Sequence, residues 1–126
     1  MAKTLAQKFF IKPNQRVAIL NAPDGYRDLL GALPEGVTVS TKPDGSYDLV
    51  HLFIRSVAEL NQHFKAAEKA LKSDGMLWIS YPKKTGKIKT DISRDVGWDV
   101  VHQAGWEGVM LISIDDTWSA MRYKKA

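Results

Sequence analysis

The chain contains no cysteine, which excludes disulfides, thiolate metal centres, iron–sulfur clusters and cysteine nucleophiles. It also lacks internal repeats, low-complexity tracts and any apolar run of the roughly 18 residues that a membrane-spanning helix requires. The stretch from Met1 to Lys12 carries Lys3, Lys8 and Lys12 but no apolar centre of a secretory signal, so a cytoplasmic protein with no membrane association is expected. An excess of one charge is nearly missing too. The formal net charge is +4, from 18 basic and 14 acidic residues. Lys83, Lys84, Lys87 and Lys89 lie in a segment without an acid, so the whole excess equals one loop. A nucleic-acid binder usually spreads positive charge along a face. Nucleic acid is therefore not the expected partner, whereas an anionic small molecule, a protein partner or a second copy of the chain remain candidates.

What is present suffices for one packed core: 126 residues, of which 44% are hydrophobic, read as a single domain over 1–126. Thr4 and Gln7 have the spacing of a capping box, predicting a short helix to about Ile11 that stops before Pro13. RVAILN, from Arg16 to Asn21, is a short apolar and β-branched run of the kind that forms a buried strand. Asp24 is placed to cap a helix through Leu33, before Pro34 and Gly36. Gly36 to Thr41 and Asp48 to Arg55 read as further strands separated by a Pro43-Asp44-Gly45 turn. Ser56 and Glu59 form a second capping-box pattern, followed by Val57, Leu60, Phe64, Ala67 and Leu71 in one apolar stripe that Ser73-Asp74-Gly75 ends.

Met76 to Tyr81 is a fourth strand, and Pro82 opens the lysine loop. Thr90 or Asp91 is expected to cap a helix running to about Ala104, weakened by Gly97. Glu107 to Asp115 and Thr117 to Lys124 read as a closing hairpin. This alternation predicts an α/β fold: a Rossmann-like, mainly parallel sheet of about six strands with helices on both faces, a C-terminal antiparallel hairpin, and strand order 2-1-3-4-6-5.

Two stretches carry a resemblance. Tyr47-Asp48-Leu49-Val50, and Ala70 to Leu77 reading ALKSDGML, resemble the later half of class I methyltransferases. KPNQRVAILNAP, KTDISRDVGWD from Lys89 to Asp99, and IDDTWSAMR from Ile114 to Arg122 resemble a family of small bacterial proteins known only as a domain of unknown function. The resemblance implies a fold and no activity. The methyltransferases place a glycine-rich turn after the first strand and an acid at the end of the second, which together hold S-adenosylmethionine (SAM). Here the corresponding segments are Asn21-Ala22-Pro23-Asp24-Gly25-Tyr26, with one glycine, and Ser40-Thr41-Lys42, with no acid. SAM bound in the usual way is not expected, and no cofactor is assigned.

In open α/β sheets ligands bind beyond the carboxyl ends of the strands, where the order reverses. That edge should collect Asn21 to Tyr26, Arg55, the lysine loop and the Asp115-Asp116 turn. The sharpest binding hypothesis joins Lys83, Lys84, Lys87 and Lys89 to a helix start at Thr90-Asp91, with Arg55 nearby, as a site for phosphate or carboxylate. A solvated lysine loop is the competing reading. Asp115-Asp116 reads as a turn, His51 as a hydrogen-bonded core histidine, and the four tryptophans as packing; His63 and His102 sit on helices without a motif. No catalytic residue or metal site is assigned, since no Gly-x-Ser-x-Gly elbow or clustered ligand set occurs. The expected function is a non-catalytic Rossmann-like binding or interaction module. The alternative is a binder of a nucleotide or other anionic small molecule at the lysine loop, as a divergent methyltransferase-like protein.

Overall fold

A computed structural model describes residues 4–125, so Lys3 of the basic N-terminus lies outside the described residues. The elements are α1 (Leu5–Lys8), β1 (Arg16–Leu20), α2 (Tyr26–Leu30), β2 (Thr38–Ser40), β3 (Tyr47–Phe53), α3 (Val57–Ala70), β4 (Leu71–Pro82), α4 (Asp99–Gln103), β5 (Trp106–Ser113) and β6 (Trp118–Lys125). The six strands form one sheet in the order β2-β1-β3-β4-β6-β5. β2, β1, β3 and β4 run parallel, and β6 is antiparallel to β4 and to β5. The strand order and the closing hairpin are those expected. Among the described residues no helix is long and apolar enough to cross a membrane.

The central strands are apolar on both faces because both faces are covered. On one side Ala18, Val50, Leu52, Leu77 and Ile79 pack against Leu60, Phe64 and Ala67 of α3 and Val101 of α4. On the other, Val17, Leu49, Phe53 and Trp78 pack against Phe9, which follows α1, and Tyr26 and Leu30 of α2. A period-two strand delivers alternate residues to each layer, which is why β1 and β3 need no polar face.

The helices depart from the sequence reading. α1 begins with the expected capping box, Gln7 N–H donating to Thr4 Oγ1 at 3.2 Å and Thr4 N–H to Gln7 Oε1 at 2.9 Å. It ends at Lys8, and Phe10 turns the chain with φ +61°. α2 is capped by Gly25 in a left-handed conformation and not by Asp24. α3 begins with Glu59 N–H donating to Ser56 Oγ at 3.1 Å, but the Glu59 carboxylate does not return to Ser56; it accepts from Arg55 N–H at 3.1 Å. It also stops at Ala70, because Leu71 already pairs with Tyr47 and starts β4.

The largest correction concerns residues 90–104. Only Asp99–Gln103 is helical, and Thr90 and Asp91 cap nothing there. Gly97 takes φ +105°, with Val57 and Ile92 lying where a Cβ would project. The segment is a loop pinned by buried Ile92 and Trp98, whose indole N–H donates to the Ser93 carbonyl at 2.7 Å. Asp91 caps a different helix: its Oδ1 accepts from Val57 N–H, the first residue of α3, at 2.9 Å.

Candidate functional site

The order reverses between β1 and β3, so the ends of those strands mark the switch point. The chain closes it with its own side chains. Asn21, just past β1, adopts φ +59°. Its Nδ2 donates to the Phe53 carbonyl at 2.9 Å and to Glu59 Oε1 at 3.1 Å. The same Glu59 oxygen accepts from Arg55 N–H and lies 3.6 Å from the Arg55 guanidinium. Arg55 in turn sits 5.6 Å above the Trp118 ring. This clasp ties the end of β1, the end of β3 and the first turn of α3 together. Asparagine tolerates the left-handed conformation that a glycine would otherwise supply.

Open space lies beside the clasp. A crevice of about 720 Å³ runs between the β1–α2 turn and the end of β2. Its apolar part is Ile19, Val37 and Val39; Asp24, Arg27 and Thr41 supply polar groups. Gly25, at φ +82°, has no atom within 4 Å of where a Cβ would stand, so its backbone faces open space. A smaller pocket of about 200 Å³ shares Asn21 and Thr41 with the crevice and is also lined by Pro43 and by His63 on α3. Another, of about 250 Å³, lies between the same turn and the β5–β6 hairpin, against Trp118 and Thr117. Asp24 lines the large crevice and this last cavity.

Beneath the turn lies a buried polar chain. Tyr26 Oη is hydrogen-bonded to His51 Nδ1 at 3.2 Å, and His51 Nε2 to Ser80 Oγ at 2.5 Å. Burial holds the imidazole neutral, pushing its pKa from 6.5 down to about 3, and raises that of the Tyr26 phenol. A neutral ring bonded on both nitrogens, and ringed by Phe9, Tyr26 and Phe53, is the core histidine expected.

The edge does collect Asn21 to Tyr26, Arg55 and the hairpin turn, with the lysine loop behind that turn: Gly86 comes close to Thr117 and Asp116. Lys83 Nζ donates to Ser113 Oγ at 2.6 Å, and Thr90 Oγ1 accepts from Ile92 N–H. Lys84, Lys87 and Lys89 are exposed. The helix expected to start at Thr90-Asp91 begins at Asp99, and the helix end next to this segment is that of α3, whose Val57 N–H donates to Asp91. Asp115 is a turn residue, its Oδ1 accepting from Thr117 and Trp118 N–H at 2.8 Å each. The four tryptophans are buried. His63, read as a helix residue without a motif, lines the smaller pocket from α3; its place beside Leu60 and Phe64, on the shoulder of the α3 stripe, was the available signal. Asp24, expected both to cap α2 and to lie at this edge, makes no cap bond and lines the crevice.

No protein-family model matches the chain, and a comparison with curated proteins finds no match. Comparison of structures does find a likeness. A SAM-dependent methyltransferase from Aquifex aeolicus aligns with a TM-score of 0.63 at 12% identity, over 93% of this chain and 85% of that one. The SAH complex of DhpI gives 0.62 at 12% identity over 96% and 82%. A ribosomal protein L11 methylase from Lactobacillus delbrueckii subsp. bulgaricus gives 0.61 at 12% identity over 96% and 74%. At such low identity the likeness establishes a methyltransferase-like Rossmann fold. It does not extend to activity, which resides in sites and not in folds.

The β1–α2 turn carries Ala22 and Pro23 before its glycine, Gly25, β2 is followed by Thr41 and not by an acid, and Asp44 is engaged by the Tyr47 hydroxyl at 3.2 Å, so the residue pattern of a usual SAM site is missing from these two segments.

Proposed function

We propose that this protein is a divergent methyltransferase-like binder of a small molecule with a flat apolar body and a polar, anionic end. The observation that carries this reading is the 720 Å³ crevice beyond β1 and β2, a volume in the range of small-molecule sites. Ile19, Val37 and Val39 suit a ring system, and the open backbone at Gly25 permits close approach. Arg27 lines the crevice, and the exposed Lys84, Lys87 and Lys89, on the loop beside the hairpin turn, are the further cations proposed to meet an anionic end; a nucleoside or nucleotide combines the features required. The fold likeness to SAM- and SAH-bound proteins favours this over the non-catalytic interaction module.

Thermal unfolding with SAM, SAH, adenine nucleotides, coenzyme A and phosphate tests the proposal. A ligand that binds only the folded state raises Tm as its concentration passes Kd. A nucleoside-bearing compound is expected to do so, and Val39→Trp, which enlarges a lining side chain, to abolish the shift. Lys84→Ala with Lys87→Ala should weaken only the anionic members of the set. A flat response across the whole panel would overturn the proposal.

A further inference from the structure

We propose that β5 is a self-association edge, through which two copies of this chain pair antiparallel into a continuous sheet about a two-fold axis at Leu111. This inference does not rest on the ligand reading. β5 is the last strand of the sheet and, among the described residues, pairs only with β6. It is eight residues long, whereas the opposite edge, β2, has three. Long edge strands are normally protected by a lysine, a proline or brevity, because their unpaired backbone groups template further pairing. β5 has neither residue, and Glu107 is its sole charge. A bulge at Gly108–Met110 disturbs its first half only.

Val109, Met110 and Leu111 are 48%, 37% and 42% exposed, three of the five large hydrophobic side chains that the described residues leave in water. The pattern around Leu111 is close to symmetric, which points to a second copy as the occupant. Met110 and Ile112 share the face of Arg122 and Ala120, and Leu111 shares the face of Met121. Pairing centred on Leu111 sets each Leu111 against its counterpart and each Met110 against the Ile112 of the second copy, so apolar groups meet apolar groups on both faces. The same register sets Val109 opposite Ser113 and Glu107 opposite Asp115 of the hairpin turn, next to Ser113. There the Lys83 ammonium is held on Ser113 Oγ.

Sedimentation velocity on the full chain tests this, from about 5 µM to about 500 µM, where a weak interface of one strand pair should be populated. The expected result is a concentration-dependent shift from the 14.1 kDa monomer to twice that mass. Leu111→Lys sets two ammonium groups face to face and should raise Kd by at least about tenfold. Val96→Lys, at an exposed site in the loop before α4, should leave Kd unchanged. Circular dichroism establishes that each variant is folded. A wild type that stays monomeric throughout, an unaffected Leu111→Lys, or equal weakening by both substitutions overturns the proposal.

Discussion

Lowering the pH from 7 to 5 should destabilise this protein by an amount that one side chain sets. His51 is 2% exposed, and burial depresses its pKa to about 3 from an ordinary 6.5. The unfolded chain binds a proton at this residue below pH 6.5, while the folded chain does not until about pH 3. Stability is therefore complete above pH 6.5, falls between 6.5 and 3, and loses nothing more from this group at lower pH. At about 1.4 kcal/mol per pH unit, pH 5 lies far enough below 6.5 to cost about 2 kcal/mol. For a chain of this length that is a fall in Tm of roughly 7 °C. Asp48 does not obscure the effect. The Arg16 backbone N–H first, and then Lys72, hold its carboxyl below the usual range, so its contribution is lost only below about pH 4. Urea unfolding at pH 7, 6 and 5, of the wild type and of His51→Gln, reads the difference directly. Glutamine keeps hydrogen-bonding groups near Tyr26 and Ser80 without titrating. The variant should start less stable and show a flatter pH dependence; equal slopes would refute the assignment of a neutral, buried His51.

Three further outcomes follow from the loop before α4 and the clasp. Asp91→Ala removes the acceptor at the first turn of α3 and should cost about 1 kcal/mol in urea unfolding, with Asp95→Ala, an exposed neighbour, near neutral. Gly97→Ala forces a Cβ to within 2.8 Å of Val57 and 2.9 Å of Ile92 at φ +105°, and should cost about 2 kcal/mol or more by the same assay. Glu59→Gln keeps an acceptor for Asn21 and Arg55 N–H but loses the partly exposed ion pair, so a loss under about 1 kcal/mol is expected; Glu59→Ala should lose more, and its crevice should open toward β3, read as faster amide exchange at Asn21.

The strand order was legible because β1, β3 and β4 are written as continuous apolar runs, and RVAIL, YDLVHLF and MLWISYP leave no alternative face to choose. The helices were less so. Thr90 and Asp91 have the chemistry of helix caps, but Ile92 and Trp98 anchor a loop whose backbone Gly97 turns, and Asp91 caps α3 instead. Glu59 fits a capping box by spacing, yet tertiary partners 38 residues away at Asn21 claim its carboxylate. The crevice was foreseeable as an edge of the sheet. Its far wall was not, because Val37, Val39 and Thr41 lie about fifteen residues beyond the β1–α2 turn that they face, and the register of β1 with β2 brings the two together.

The clasp at the switch point has a thermodynamic consequence for any ligand. A carboxylate tethered within the chain acts as a resident competitor, whose effective concentration is set by geometry at millimolar or above and cannot be diluted away. A guest approaching between β1 and β3 must displace Glu59 before it gains anything, and its apparent affinity is lowered by that exchange. A guest entering between β1 and β2 does not have to displace Glu59. The fold thus steers occupancy toward one side of its own switch point without blocking the other.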